Sequence, residues 1–455
     1  MFDALFTPDR VLAATAPEAW VDALVRFERE LAAAQEELGM LPPGSAELVA
    51  RAAGRAELTP SRLGADGRAS GNPVIALVRA VEAAGGEGPV PVHHGATSQD
   101  ALDSAAMLVA RQACTLVLED LDAATDACAA LVRRYRGTPM TARTLLQPAL
   151  PTTFGYKAAG WLVALDEAAA TLRRVTSHDL AVQLGGAAGT MAAFGGQGPA
   201  LSAALAARLG LQDPTLPWHT DRGRVLRLGA ALAGAATACA KVALDVALLA
   251  QAEVGEVAEG GGPGRGGSST MPQKANPVGA VSVLAAGRHA HGAFATLVSA
   301  GVQDHERAGT GGWHAEWQAM TTLLRAAGGC TANVSRLLAD LTVHASRMAD
   351  NLAATHGVVV AERVALDLGH DLGREEARQV VGRAAAAAQR DGRPLRDVLG
   401  ALPEVADLRS PAQLDELCDP AGYLGATDQL VDRALVLHAD GRAGRTPPPA
   451  PREAP

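Results

Sequence analysis

Apolar residues recur every three or four positions along most of the chain, the period of helices with one buried face. From Pro17 the series Trp20, Leu24, Phe27, Leu31 and Ala34 marks such a face, and Gly39 can close the helix. Thr15 and Glu18 stand at capping-box spacing, and Pro17 suits a first turn, where its missing N–H is not needed. Further helical text runs through roughly 101–135, 152–176, 224–258, 278–300, 315–341 and 358–370. No sustained alternating run is bounded by turn residues, so the pattern predicts an all-α protein. The stretches 101–135 and 224–258 carry small residues over most of their surface, which calls for burial on most sides, inside a bundle or an oligomer core. Leu228 to Ala252 is the most apolar text, but Lys241 and Asp245 interrupt it, and it reads as a core helix rather than a membrane span.

A length of 455 residues implies two to three domains. A compositional break follows Asp350, and the Pro- and Arg-rich stretch 441–455 reads as a disordered tail. Aromatics are only 3%, so the core must come from Ala, Leu and Val, which suits close-packed helices better than sheets. A net charge of -9 argues against nucleic acid or an anionic membrane as partner. It leaves room for a small anionic substrate, because screening limits exposed charge to a reach of about 10 Å. Cys114, Cys128, Cys239, Cys330 and Cys418 are widely spread with no CxxC pair, which fits reduced thiols in a cytoplasmic protein rather than disulfides or a metal site. The N-terminus lacks the basic and apolar regions of a signal peptide.

The chemistry concentrates in one loop. Glycines at 260, 261, 262, 264, 266 and 267 forbid a stable helix, and Ser268-Ser269-Thr270-Met271-Pro272-Gln273-Lys274-Ala275-Asn276-Pro277 follows at once. A plain linker would not carry a hydroxyl, an ammonium and a carboxamide so closely together. The spacing of a phosphate-binding Walker loop is absent. A mobile lid over an anionic substrate is the better reading.

That run resembles the signature of the fumarase/aspartase superfamily. Two further blocks resemble the same family: His93-His94-Gly95-Ala96-Thr97-Ser98-Gln99-Asp100 and Ala142-Arg143-Thr144-Leu145-Leu146-Gln147-Pro148-Ala149. The resemblance spans about residues 5–438. It implies a three-domain helical subunit, divided as 1–107, a central bundle 108–350 with its loop at 259–277, and 351–440. It further implies a homotetramer built on the long helices, with active sites shared between subunits, and no cofactor or metal.

The family's common step moves a proton on the carbon next to a carboxylate, so the resemblance assigns a small polycarboxylate substrate. Ser268 is then expected as general base in the elimination sense, Lys274 and Asn276 as holders of one carboxylate, and Thr97 and Ser98 as donors to another. Thr97 and Ser98 can equally cap the helix that follows. Arg143, with Thr144 beside it, and Arg307 offer guanidinium forks shaped for carboxylates, although each arginine can also serve a surface or helix-pairing role. The third block normally supplies a histidine, where Leu145 and Pro148 stand here. His93, His219 and His305 are therefore the candidates for a second acid/base, with His93 in the best-matched block. Trp313 and Trp317, four apart, read as packing partners on one helix face.

Leu184–Thr190, Pro217–Thr220, His305–Arg307 with Trp313–Trp317, and Asp419–Gly425 resemble the bacterial 3-carboxy-cis,cis-muconate cycloisomerase branch. The expected reaction is addition of a substrate carboxylate across a double bond, forming 4-carboxymuconolactone. A fumarate-releasing lyase acting on a substituted succinate is the rival enzyme. A catalytically silent helical scaffold is the rival of another class, against which the intact Ser268, Lys274 and Asn276 speak.

Overall fold

The computed structural model describes residues 2–86, 88–260, 266–267, 270–271, 274–307 and 309–443. Helices dominate, and the long ones run Pro17–Glu37, Ser98–Arg134, Phe154–His178, Gly223–Leu249, Val278–Ala300 and Gly312–Ala339. The last helix, Thr427–Ala443, enters the stretch read as a tail; the rest of that stretch, from 444, lies outside the described residues.

The chain folds into two compact units, one of residues 1–122, 167–240 and 282–334, the other of 123–166, 241–281 and 335–455. In the first, helix Pro17–Glu37 buries Leu24, Phe27 and Leu31 and packs on Ser45–Arg55 and Gly198–Leu209. The same stripe buries Glu28 and Gln35, polar groups that need partners once removed from water. The start of this helix differs from the expected capping box. Ala16 is its N-cap without a side-chain bond, and the Thr15 hydroxyl instead donates to Val11 O at 2.8 Å. Arg325 Nε donates to that hydroxyl in turn, so tertiary contact outcompetes the local cap.

In the second unit, helices Ala361–Leu372 and Arg374–Asp391 close around Val364, Leu368, Val380, Val381 and Leu399. The all-helical expectation holds, and two short two-stranded sheets accompany the helices among the described residues. Pro139–Thr144 and Gln147–Thr153 form an antiparallel hairpin packed on helix Ala345–Ala353, and Val257–Ala258 pairs with Thr342–Val343. Pro148 and Pro151 mute the strand signal, because each removes a ladder donor.

Ser98–Arg134 and Gly223–Leu249 are long and apolar enough to cross a membrane by length and composition, and 67% and 50% of their apolar windows are buried inside the protein. All five cysteines are free thiols. Burial pushes Cys114 and Cys330 up to about 12 and Cys418 up to about 11, as expected for thiols acting as packing groups.

Candidate active site

In the first unit, the segment 93–98 runs into the start of helix Ser98–Arg134, and two buried carboxylates grip it. Glu28 accepts from the His93 backbone N–H at 2.9 Å through Oε2, and its Oε1 lies 2.6 Å from His93 Nδ1. This two-point grip holds His93 at φ 57°, a left-handed conformation unusual for a residue with a side chain. Gln35 Nε2 donates to His94 O at 2.8 Å. At the other end, Asp100 Oδ2 accepts from the Thr97 N–H at 3.0 Å, a capping contact that reaches back over the first turn. Thr97 and Ser98 are both nearly buried there. Burial alone would lower His93. The charge and hydrogen bond of Glu28, aided by Asp100 and Glu82, outweigh it and raise the imidazole above its ordinary value.

His219 joins this cluster through Asp100, with Nε2 2.7 Å from Oδ1. A second buried network lies beside it. Arg222 is clasped by Asp103 at 2.8 and 3.0 Å and by Glu316, and its guanidinium lies over the Trp218 ring. Trp313 Nε1 donates to Asp103 Oδ1 at 3.0 Å and its ring meets Trp317 edge-on at 4.9 Å, so this pair packs as the spacing suggested. His305 and Arg307 lie between helices Val278–Ala300 and Gly312–Ala339. His305 is exposed with φ 49°, Arg307 is half-buried, and neither side chain has a partner among the described residues.

The second unit carries the other expected residues. Arg143 places its fork on Glu256, NH1 to Oε2 at 2.9 Å and NH2 to Oε1 at 2.8 Å, and Asn351 Nδ2 adds a bond to Oε1 at 2.8 Å. The guanidinium read as a substrate clamp is thus engaged by a fully buried carboxylate of its own chain. Thr144 is exposed and pairs with Gln147 across a two-residue turn. That turn is Leu145–Leu146, both at positive φ, 97% and 71% exposed. On the next helix, burial, with Lys241 and Arg143 nearby, lowers Lys157 below the usual lysine range.

The loop 259–277 is tied at its stem. Glu259 accepts from the Gly279 and Ala280 N–H groups at 2.9 and 2.7 Å and so caps helix Val278–Ala300. Asn276 donates to Gly266 O twice at 2.9 Å, once from its backbone and once from Nδ2. Gly266 is required there, because a Cβ would lie 2.6 Å from Asn276 O and φ is +70°. Lys274 is exposed, while Ser268 lies outside the described residues, as do Ser269, Pro272 and Gln273. No cluster of three or more His, Cys, Asp or Glu with metal-binding geometry occurs among the described residues.

Sequence reasoning missed Glu28 and Glu256, and it quoted Asp100 without giving it a role. The signal for Glu28 was available: a charged residue on the apolar stripe of its helix, one turn after Leu24.

The helical fold and the three motif-bearing segments agree with a fumarase/aspartase-type lyase, and the likeness to known proteins shows that family. The family described as Lyase matches residues 72–292, and the one described as Adenylosuccinate lyase C-terminus matches 357–434. The chain belongs to this lyase superfamily. It is 41% identical to the 3-carboxy-cis,cis-muconate cycloisomerase of Bradyrhizobium diazoefficiens, covering 90% of this chain and 92% of the relative. It is 43% identical to the nitrosuccinate lyase of Streptomyces davaonensis, covering 93% and 92%. The crystal structure of the 3-carboxy-cis,cis-muconate lactonizing enzyme from Pseudomonas putida superposes with a TM-score of 0.89 at 35% identity, covering 97% of this chain and 99% of that one.

Proposed function

We propose that the chain interconverts 3-carboxy-cis,cis-muconate and 4-carboxymuconolactone. The observation that carries this is the donor segment 93–98, fixed at both ends by Glu28 and Asp100, with His93 biased toward its cationic form. Such a segment suits an anion whose charge grows on one carboxyl group during reaction. The likeness to the Bradyrhizobium and Pseudomonas enzymes points it toward lactonisation.

In the addition sense, a substrate carboxylate oxygen attacks one carbon of a double bond. The electron pair of that bond moves onto the neighbouring carbon and into its carboxyl group. Ser268 then delivers the proton to that carbon. Reversed, Ser268 removes the proton and the ring C–O bond breaks, returning the leaving carboxylate. Thr97 and Ser98 hold one substrate carboxylate, Lys274 and Asn276 another, and Arg307, which has no partner of its own among the described residues, serves a third. His93 is the second acid/base, while Arg143 and Thr144 enter the site by fixing the hairpin. His305 is the remaining acid/base candidate.

The Streptomyces likeness favours a second reading, elimination from a substituted succinate to give fumarate. It uses the same proton transfer with a different leaving group. Incubating the purified protein with each substrate separates the two: loss of diene absorbance from 3-carboxymuconate supports the first, and fumarate from nitrosuccinate supports the second. Turnover of neither refutes both.

We further propose a cytoplasmic homotetramer with shared active sites, no cofactor, and no nucleic-acid or membrane partner. Leu244, Val281 and Val298 each stand exposed on a long helix, as apolar residues that meet partner helices would. A fully active monomer in sedimentation would refute the shared site.

A further inference from the structure

We propose that Asp100 and His219 form a buried positioning pair that sets the Thr97–Ser98 donors, with His219 a fixed hydrogen-bond donor rather than a proton carrier. The proposal rests on the reading of Thr97 and Ser98 as carboxylate donors. Asp100 is 0% exposed and accepts four bonds, all from N–H groups. Oδ1 takes Gly185 N at 2.9 Å and His219 Nε2 at 2.7 Å; Oδ2 takes Thr97 N at 3.0 Å and Gly186 N at 2.9 Å. One carboxylate thereby fastens three segments that are far apart in sequence.

Those contacts also fix the tautomer of His219. Asp100 can only accept at Nε2, so the ring carries its hydrogen there and leaves Nδ1 bare. Nδ1 is buried and has no partner among the described residues. The turn 185–189 closes over it: a Cβ on Gly185 would lie 2.8 Å from His219 Cε1, and one on Gly189 would lie 4.0 Å from Nδ1. A second hydrogen placed on Nδ1 would face this turn unpaired, which is unfavourable for a buried donor. Gln99 Nε2 donates to His219 O at 2.8 Å, and Trp218 N donates to Gln183 Oε1 at 2.8 Å, so the segment bearing His219 is itself immobilised. The ring is buried and is joined to the 97–98 segment through Asp100 and the Thr97 N–H.

The test compares His219→Gln, His219→Phe, Asp100→Asn and Thr97→Val by kcat/KM against pH, with circular dichroism as the fold control. A glutamine can place its carboxamide N–H where Nε2 stands, whereas phenylalanine cannot. His219→Phe and Asp100→Asn are expected to lose about 10²-fold in kcat/KM, the effect of misplacing donors by about 1 Å. His219→Gln is expected to recover most of this with both limbs of the parent pH profile intact. If His219→Gln is as poor as His219→Phe, or loses a limb, His219 moves a proton and the proposal is overturned. Should Asp100→Asn fail to fold, the two His219 variants decide alone. Thr97→Val tests the reading beneath: parent-like kinetics there, alongside impaired His219 variants, overturn the donor-segment assignment instead.

Discussion

Replacing Glu28 by glutamine removes one negative charge from the grip on His93 and leaves the shape nearly unchanged. The carboxylate serves two donors, the His93 backbone N–H at 2.9 Å and Nδ1 at 2.6 Å. A carboxamide has one acceptor oxygen, so one of those donors must then face an NH₂ group. The loss of a hydrogen bond to a charged group is worth about 1.5–3 kcal/mol. His93 should therefore titrate lower in the variant than in the parent. The sign follows from the opposing effects at the ring: burial lowers it, Glu28 raises it, and removing Glu28 leaves burial dominant. His93 thus contributes stability that is fully present below its unfolded value near 6.5 and is lost as pH rises through its higher folded value. The gap in stability between parent and Glu28→Gln should be widest near pH 6 and narrow in alkali. Proton NMR titration of the His93 Cε1–H reads the shift directly, and the alkaline limb of kcat/KM should move with it. A titration that stays put, or moves upward, refutes the claim that Glu28 holds the proton on His93.

Ser268→Ala should cut turnover about 10²–10⁴-fold with an unchanged circular dichroism spectrum, and near-normal turnover would remove it from the proton path. Arg143→Ala should destabilise the protein by about 3–5 kcal/mol, because Glu256 is left buried without its cation; urea unfolding measures this, and a neutral effect would contradict the pairing. Arg143→Lys should recover little of that loss, since an ammonium cannot match a two-point fork. The Leu145→Asn, Leu146→Gly double variant should raise the unfolding midpoint, relieving about 1–2 kcal/mol at each left-handed residue; a lowered midpoint would mean that the leucines are buried against another surface.

The helices were legible because their period is written over twenty or more residues, and Val278–Ala300 matches its expected range at both ends. Gly223–Leu249 stops earlier than its text, where Glu256 N turns back to Leu249 O and the chain prepares the Arg143 pair. The hairpin was illegible for a local reason: two prolines and two leucines occupy positions where a strand and a tight turn favour other residues. The segment 93–98 was legible as a motif, but the carboxylates that grip it were not. Glu28 and Glu256 lie 65 and 113 positions from the residues they hold, and no local spacing encodes such a pairing.

Backbone strain falls on the same segments that the motifs single out. Among the described residues, six non-glycine residues adopt positive φ, and His93, Leu145, Leu146 and His305 belong to blocks read as site-forming. Each such residue costs of order 1–3 kcal/mol and persists only where its surroundings over-determine it. Around His93 that is the two-point grip of Glu28. At Leu145–Leu146 it is the ladder from Thr144↔Gln147 to Pro139↔Thr153. Next to His305 it is Asp304, whose carboxylate accepts from Gly309 N, Thr310 N and the Thr310 hydroxyl and is held below the usual carboxylate range by them. In two of the three places an acidic side chain does the holding. A net charge of -9 is thus compatible with the anionic substrate proposed above: at these two places the carboxylates accept backbone N–H groups, and beside His93 an imidazole as well, and so fix the segments that would present side-chain donors.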